Sequence, residues 1–145
     1  MAGGSGTVRQ VFDDLVRFET ILWNRVDEEL QREADLSLGG LNALLVIEAT
    51  PRCRVQDVAR ALAITVGGTS QAVDRLEKAG LVERTSHPTD RRSSVLALTG
   101  AGSAALRRAG PVFDRALERM LARPLGDERL ATLAAALHDL RGSAT

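Results

Sequence analysis

The apolar side chains near the start of the sequence constrain the fold more than any other feature. Between Thr7 and Ala34 they recur in steps of three and four, at Val8, Val11, Phe12, Leu15, Phe18, Leu22, Val26 and Leu30. This spacing predicts one long helix with a single apolar stripe. Such a helix is much longer than the core of a small domain requires, so we expect part of the stripe to contact a second chain.

Length and composition place the chain among ordinary globular proteins. Its 145 residues suit one domain, with or without arms that pair with a second copy. Hydrophobic residues are 44% and charged residues 26%, and we find neither a signal peptide nor an apolar run long enough for a bilayer. We therefore expect a cytoplasmic protein. One cysteine and two histidines are too few for a disulfide or a convincing metal cluster, so neither a metal nor another cofactor is expected.

The charges are distributed unevenly, although the formal net charge is zero. Residues 1–50 carry 4 basic and 9 acidic side chains, residues 51–92 carry 8 and 5, and residues 93–145 carry 7 and 5. The local field steers an approaching polyanion more than the total charge does. The middle segment, which is net positive, is therefore where we expect nucleic acid to bind.

Three shorter helices follow the first, and the last two of them predict a helix-turn-helix. Ser37 caps the first of the three, over residues 38–49. The second carries the spacing of one buried face at Val55, Val58, Ala59 and Leu62. Thr65 caps the third, and Gly80 closes it. The apolar face of this third helix comprises Thr69, Ala72, Val73 and Leu76. Two short helices joined by a tight turn are typical of a helix-turn-helix.

A charged hairpin and further helices complete the chain. Stretches of strand type over residues 81–86 and 94–98 flank a polar connection, HPTDRRS, which predicts a hairpin with a charged tip. Thr99 caps the next helix, in which Pro111 is expected to introduce a kink. Residues 123–126 are expected to break the chain before a last helix begins.

Two motifs stand in succession at the last helix of the helix-turn-helix and at the hairpin: DRLEKAGLVER over residues 74–84 and DRRSSVLALTGAG over residues 90–102. Together they resemble the recognition-helix exit, wing tip and return into the next helix of the MarR family of bacterial winged-helix transcription regulators. The resemblance implies a mainly α fold with a small β-hairpin wing (α+β), in which residues 36–103 form a DNA-binding lobe. Residues 7–34 and 104–143 would form the long-helix dimerisation stem. Residues 1–6 are expected to be a disordered tail.

The same resemblance implies a function. It implies a homodimer that binds double-stranded DNA at a pseudo-palindromic operator and regulates transcription, most simply as a repressor. It also implies a small-molecule effector, commonly an aromatic acid or a phenol, that loosens DNA binding. The chain would then act on the bacterial nucleoid, with no membrane partner.

The helix after Thr65 begins with two glycines, Gly67 and Gly68. Because they lack side chains, the N-terminal end of this helix can approach a DNA groove closely. Behind them, Gln71 can make a bidentate contact with adenine. We predict DNA contacts from Thr65, Gly67, Gly68, Ser70, Gln71 and Arg75. Residues 37–40 repeat the same cap-apolar-Gly-Gly pattern where the family does not use it for DNA. Close helix packing therefore stays an alternative explanation of the glycines.

The hairpin tip predicts a second DNA contact. Asp90 stands two residues before Arg92 and can orient its guanidinium through a bidentate pair, so that Arg92 points outward. A narrow, A·T-rich minor groove attracts such an arginine. Arg91 and His87 are placed to reach nearby phosphates. Without the preceding helix-turn-helix, a solvated charged tip would explain the same residues.

Three further side chains are candidates for regulation. Cys53 lies between Arg52 and Arg54, whose charges would lower the thiol pKa and favour oxidation, but a structural or merely tolerated cysteine explains the position better. Phe18 and Trp23 are large aromatics in segments that would border a ligand pocket, and helical spacing makes both of them core residues first.

Two alternative functions remain at this point. The chain could respond to oxidation through Cys53, or it could use a winged helix to hold a protein partner without binding DNA. The neutral net charge permits the second alternative. An enzyme is not expected, because the sequence contains no nucleophile with a base at usable spacing, no paired carboxylates in a glycine-framed loop and no phosphate-loop consensus.

Overall fold

The computed structural model describes residues 3–62, 66–85 and 94–144. Within these ranges the chain forms α-helices and one two-stranded antiparallel sheet. The elements, in chain order, are α1 (Gly3–Ala34), α2 (Leu38–Ala49), α3 (Val55–Leu62), α4 (Val66–Lys78), β1 (Val82–Thr85), β2 (Val95–Leu98), α5 (Gly100–Leu117) and α6 (Arg123–Ser143). A π-helical segment, Glu118–Ala122, joins α5 to α6. This order matches the mainly α fold with a hairpin wing that the sequence predicts.

The core lies where the end of α1 meets α2, α3, α4 and α5. Leu30 of α1, Leu44 of α2, Val58 of α3 and Val73 of α4 are each completely buried. Before Val26, the described side chains of α1 are exposed or half-buried, and α6 has no buried residue. The chain thus divides into a packed lobe and two long helical segments that bury little against it.

The start of α2 is fixed by two side chains that accept backbone hydrogen bonds. Ser37 is the N-cap, as the sequence predicts, and its Oγ accepts from the backbone N–H of Gly40 at 3.0 Å. Asp27 of α1 accepts from the N–H of Leu38 at 2.8 Å. Because the first N–H groups of a helix lack partners within the helix, these bonds stabilise α2 and also tie it to α1.

A glycine ends α4 and directs the chain into the hairpin. Gly80 has a φ of 77°. The N–H of Leu81 donates to the carbonyl of Leu76, and the N–H of Gly80 donates to the carbonyl of Glu77, each at 3.0 Å. This is the Schellman arrangement, in which glycine adopts the left-handed conformation without a Cβ penalty. The prediction that Gly80 closes this helix is confirmed.

The hairpin pairs Val82 with Leu98 and Thr85 with Val95, so the strands are slightly shorter than predicted. A third short member joins this sheet, because the N–H of Leu96 donates to the carbonyl of Cys53 at 2.7 Å. The segment before α3 is therefore attached to the base of the wing.

The structure departs from the sequence prediction at the start of the chain, and it has the predicted break over residues 123–126 at Gly126. Helix α1 begins at Gly3 rather than Thr7, so residues 3–6, which were expected to be disordered, are helical. Near the other end, only Gly126 has non-helical dihedral angles, with φ 75° and ψ 167°. Pro124 does not break the chain, because proline is tolerated in the first turn of a helix. The guanidinium of Arg129 donates to the carbonyls of Leu125 and Pro124, at 2.9 and 2.6 Å, and so satisfies groups that Gly126 leaves without helical partners.

Helix α5 starts at the predicted cap, since the Oγ1 of Thr99 accepts from the N–H of Gly102 at 3.0 Å. The helix continues through Pro111 as far as Leu117. The kink expected at this proline stays a prediction. None of the helices in the described ranges is both long enough and apolar enough to cross a membrane.

Candidate nucleic-acid interface

Helix α4 packs one face into the core and leaves the other open. Thr69, Val73 and Leu76 are buried, as predicted, and Ala72 is half-buried. The predicted DNA contacts within this helix lie on or beside the open face. Gly67, Gly68, Gln71 and Arg75 are exposed, and Ser70 is half-buried. The structure therefore brings five of the predicted contact residues together along one helix.

The glycines at the start of α2 and those at the start of α4 have different surroundings. A Cβ built on Gly40 would lie 3.0 Å from the Ser37 Oγ and 3.2 Å from a methyl group of Leu36, so packing accounts for that glycine. A Cβ on Gly67 would meet nothing within 4 Å in the described part of the chain. Packing within the chain therefore does not require a glycine at position 67, and the close approach of another molecule remains as an explanation.

The predicted wing tip lies outside the described residues. His87, Asp90, Arg91 and Arg92 fall in residues 86–93, and Thr65 falls in residues 63–65. Their DNA contacts therefore stay predictions. The two strands that carry the tip are described, and β1 follows α4 after only three residues, so the wing starts directly beside the end of that helix.

Arg84 on β1 forms ion pairs inside the lobe. One of its Nη atoms lies 2.5 Å from the Asp74 carboxylate, and its Nε lies 3.3 Å from the Glu77 carboxylate. Its side chain is 13% exposed, whereas those of Asp74 and Glu77 are 62% and 40% exposed. The structure therefore places Arg84 in internal ion pairs rather than on the open face of the lobe.

The expectation that arginines lower the thiol pKa of Cys53 is wrong. The residue is completely buried, and its Sγ lies 3.6 Å from the carbonyl of Arg54. Burial raises the pKa of the thiol above its ordinary value, the nearby carboxylate of Asp57 raises it further, and a hydrogen bond with Thr50 offsets only part of this. The backbone of this segment pairs with β2, so the side chain of Cys53 points into the core, away from the solvent that the arginines face.

A small cavity of about 200 Å³ lies where α1, α2 and α5 meet. Trp23 borders it, as expected for a pocket residue, whereas Phe18 is not among its lining residues. The lining residues are Glu19, Leu22, Trp23, Val26, Leu38, Asn42, Phe113 and Leu117. Sequence reasoning missed the members from α2 and α5, because no local signal shows that three helices distant in sequence enclose one space.

A second, more polar depression of about 420 Å³ lies along the junction of α5 and the π-helical segment. Its lining includes Arg115 and Arg119, which form ion pairs with Glu33 and Glu29 of α1. Among the described residues, no group of three or more histidine, cysteine, aspartate or glutamate side chains is arranged to hold a metal ion.

Comparison with known proteins agrees with this geometry. Residues 34–93 match the family model described as MarR family. The HTH-type transcriptional regulator BilQ of Clostridium symbiosum is 31% identical over 93 residues, which cover 64% of this chain and 64% of BilQ. The chain thus spans less than two thirds of that relative.

Solved structures extend the likeness to nearly the whole fold. Sco3205, a MarR family transcriptional regulator from Streptomyces coelicolor crystallised in complex with DNA, superposes with a TM-score of 0.84 at 28% identity, covering 94% of this chain and 90% of that one. AbsC, another MarR family transcriptional regulator from Streptomyces coelicolor, superposes with a TM-score of 0.80 at 25% identity, covering 94% and 95%.

These relatives are named as transcriptional regulators and not as enzymes, in agreement with the prediction that this chain is not an enzyme. The family match covers the helix-turn-helix and extends into the hairpin, and the structural likeness covers the long helices as well. The chain therefore matches the MarR family over residues 34–93 and has the fold of MarR family regulators.

Proposed function

We propose that this chain is a transcription regulator that binds double-stranded DNA as a homodimer and represses genes next to a pseudo-palindromic operator in the bacterial cytoplasm. The observation that carries the proposal is the open face of α4, where Gly67 leaves the helix bare and Gln71 stands exposed behind it. The DNA complex of Sco3205, which shares this fold, supports the same assignment.

The leading end of α4 suits the major groove for two reasons. The helix dipole places partial positive charge at this end, which favours the approach to phosphates. A bare backbone at Gly67 lets the helix come close to base edges, where Ser70 and Gln71 can donate and accept hydrogen bonds. Thr65 and Arg75 would contact phosphates, which fix the register of the helix without reading sequence.

The wing would contact the neighbouring minor groove. In this proposal Arg92 enters the groove while Asp90 holds its guanidinium in one orientation, and Arg91 and His87 contact phosphates. The described strands provide a rigid base for the tip, since β2 pairs with β1 on one side and with the Cys53 segment on the other.

The exposed apolar side chains of the long helices support the homodimer. Val8, Val11 and Phe12 of α1 are 69%, 61% and 68% exposed in the single chain, and Leu140 of α6 is 60% exposed. A contiguous apolar face of this kind is rarely left in water and usually marks a protein interface. Pairing of α1 and α6 with a second copy would cover it and set two α4 helices about one DNA turn, ~34 Å, apart.

The cavity beside Trp23 is the proposed effector site. Its volume of about 200 Å³ is small for a ligand pocket and suits a compound with a single ring. Glu19, Trp23 and Asn42 are the side chains that can form hydrogen bonds there, and its described lining residues include no basic one. A carboxylate beside the cavity accepts a hydrogen bond from a phenol and repels an aromatic acid, so we propose a phenol as the effector class.

The direct test is selection of bound duplexes from a random pool with the purified chain, read for symmetry and for half-site spacing. We expect an imperfect palindrome, an affinity that falls steeply with salt, and weaker binding in the presence of a phenol. Arg92→Ala should lose much of the affinity, whereas Arg115→Ala, which removes the same charge from α5, should lose little. Binding that is absent, or that shows no salt dependence, would contradict the proposal and favour a protein-interaction module.

A further inference from the structure

The base of the wing carries an arginine that joins two elements of the DNA-binding lobe. Arg84 extends from β1, where its backbone is held in register with Leu96 of β2. Its guanidinium reaches two carboxylates on α4, at 2.5 Å from Asp74 and at 3.3 Å from Glu77. These acids stand three residues apart, so they lie on the same side of the helix. One cation thus faces two anions.

Without this arginine, α4 would bring no net positive charge to DNA. Its charged side chains are Asp74, Arg75, Glu77 and Lys78, two acidic and two basic, and all four are exposed. A helix with its side chains is about 10 to 12 Å across and nearly fills the major groove, which is about 12 Å wide, so both of its flanks lie close to phosphates. Two uncompensated carboxylates on one flank would repel the backbone of the duplex.

Direct contact between Arg84 and phosphate does not fit this geometry. Its side chain is 13% exposed, and its guanidinium is already directed at two carboxylates. A role in folding stability alone would also give these ion pairs only a small energetic effect. Ion pairs with exposed acidic members typically contribute little to folding. The larger consequence of the pairing is therefore the charge that α4 presents outward.

We propose that Arg84 is a positioning residue for DNA binding, which holds the carboxylates of Asp74 and Glu77 against the wing and offsets half of their negative charge, so that the second half of α4 can lie beside phosphates. The proposal rests on the proposed DNA-binding function and adds to it a residue that touches no nucleotide. It also makes the wing and α4 act as one unit, since the same ion pairs connect β1 to that helix.

The test is a thermodynamic cycle on the full-length chain with the duplex selected by the wild type. Arg84→Met keeps the apolar stem and removes the charge, and we expect it to weaken binding about tenfold. Asp74→Asn combined with Glu77→Gln should change the affinity of the wild-type background less than that of the Arg84→Met background, because Arg84 already offsets part of those charges. In the Arg84→Met background the same two changes should restore most of the lost affinity.

The outcomes separate this inference from its alternatives. Additive effects of the arginine and the two acids would overturn it, as would a folded Arg84→Met protein that binds as tightly as the wild type. Thermal unfolding of each variant shows that the lobe is intact. Arg115→Met, which breaks an exposed ion pair between α5 and Glu33 of α1, is the matched control and should bind normally. A wild-type chain that binds no duplex would overturn the proposed function and this inference together.

Discussion

At the scale of single residues, the glycines of α2 and α4 distinguish packing from function. Gly39 and Gly67 each occupy the second position of their helix, and a Cβ on either would meet no atom of the described residues within 4 Å. We predict that Gly67→Ala and Gly39→Ala leave stability unchanged or raise it by up to about 1 kcal/mol, because alanine favours a helix. Only Gly67→Ala should weaken duplex binding, by roughly tenfold, the effect of one lost base contact.

Fluorescence anisotropy with the selected duplex, alongside urea unfolding, checks this pair of variants. If Gly67→Ala binds DNA as well as Gly39→Ala does, the bare helix start is not required for contact with the duplex.

The buried thiol of Cys53 leads to a prediction of low chemical reactivity. Because burial raises the pKa of Cys53 above 9.0, the thiol stays protonated at neutral pH. We expect iodoacetamide to alkylate it slowly in the native chain and rapidly in urea, and peroxide to leave duplex affinity unchanged. Rapid native alkylation, or loss of DNA binding that a reductant restores, would support the oxidation-responsive alternative.

The same shift has a consequence for stability at high pH. The unfolded thiol ionises near pH 9.0, before the folded one, so the unfolded chain loses its proton first. Stability from the buried thiol is therefore fully present below pH 9 and is lost as pH rises toward the folded pKa. The free energy of unfolding should fall more steeply there for the wild type than for Cys53→Ala.

At the scale of elements, the junction between the wing and α5 depends on a close backbone approach. A Cβ on Gly102 would lie 2.1 Å from the carbonyl oxygen of Leu81, which also accepts a hydrogen bond from the N–H of Thr99. We predict that Gly102→Ala destabilises the fold by about 1 to 3 kcal/mol, because backbone atoms must shift to admit the methyl group.

Gly100→Ala is the control for this change, since a Cβ at position 100 meets nothing within 4 Å at the start of the same helix. Denaturant unfolding at equal chain concentrations compares the two variants. Equal stabilities would mean that α5 does not approach Leu81 as closely as described.

At the scale of the whole molecule, the exposed apolar side chains of α1 and α6 are expected to pack against a second copy of the chain. We predict that Phe12→Glu, at a side chain 68% exposed in the single chain, shifts the protein toward the monomer, because a charge would be buried in the apolar interface. Its affinity for the full palindrome should then approach that for a half-site. Gln10→Glu adds a charge on the opposite side of the same helix and should remain dimeric.

Sedimentation at several concentrations and binding to full and half operators check this prediction. A Phe12→Glu protein that stays dimeric would place the interface elsewhere than on the apolar stripe of α1.

Local features of the fold were predictable where one side chain decides one backbone group. Ser37, Gly80 and Thr99 were each identified as caps, and each satisfies or redirects the end of a helix in the structure. An error arose where local preference is weak. The glycine-rich start of α1 has low helix propensity, so its helix was not predicted, whereas the predicted break over residues 123–126 is present at Gly126.

The candidate site was predictable only in part. The exposed face of α4 follows from its apolar period, so Gly67 and Gln71 could be placed outward from sequence. The pairing of Arg84 with Asp74 and Glu77 could not be settled, because it depends on the angle between β1 and α4. The pKa of Cys53 could not be inferred from the arginines next to it in sequence, because the strand contact with Leu96 places the thiol in the core, as a structural cysteine requires.

By itself the sequence determined the periodic and terminal features: which faces are apolar, where helices begin and end, and that a hairpin follows a helix-turn-helix. These features depend on interactions within a few residues, and the chain encodes them directly. Only the tertiary structure decided which charges are paired, that the thiol of Cys53 is buried and where a cavity lies between three helices. Those properties depend on distances between residues far apart in sequence, which are fixed when the core packs as a whole.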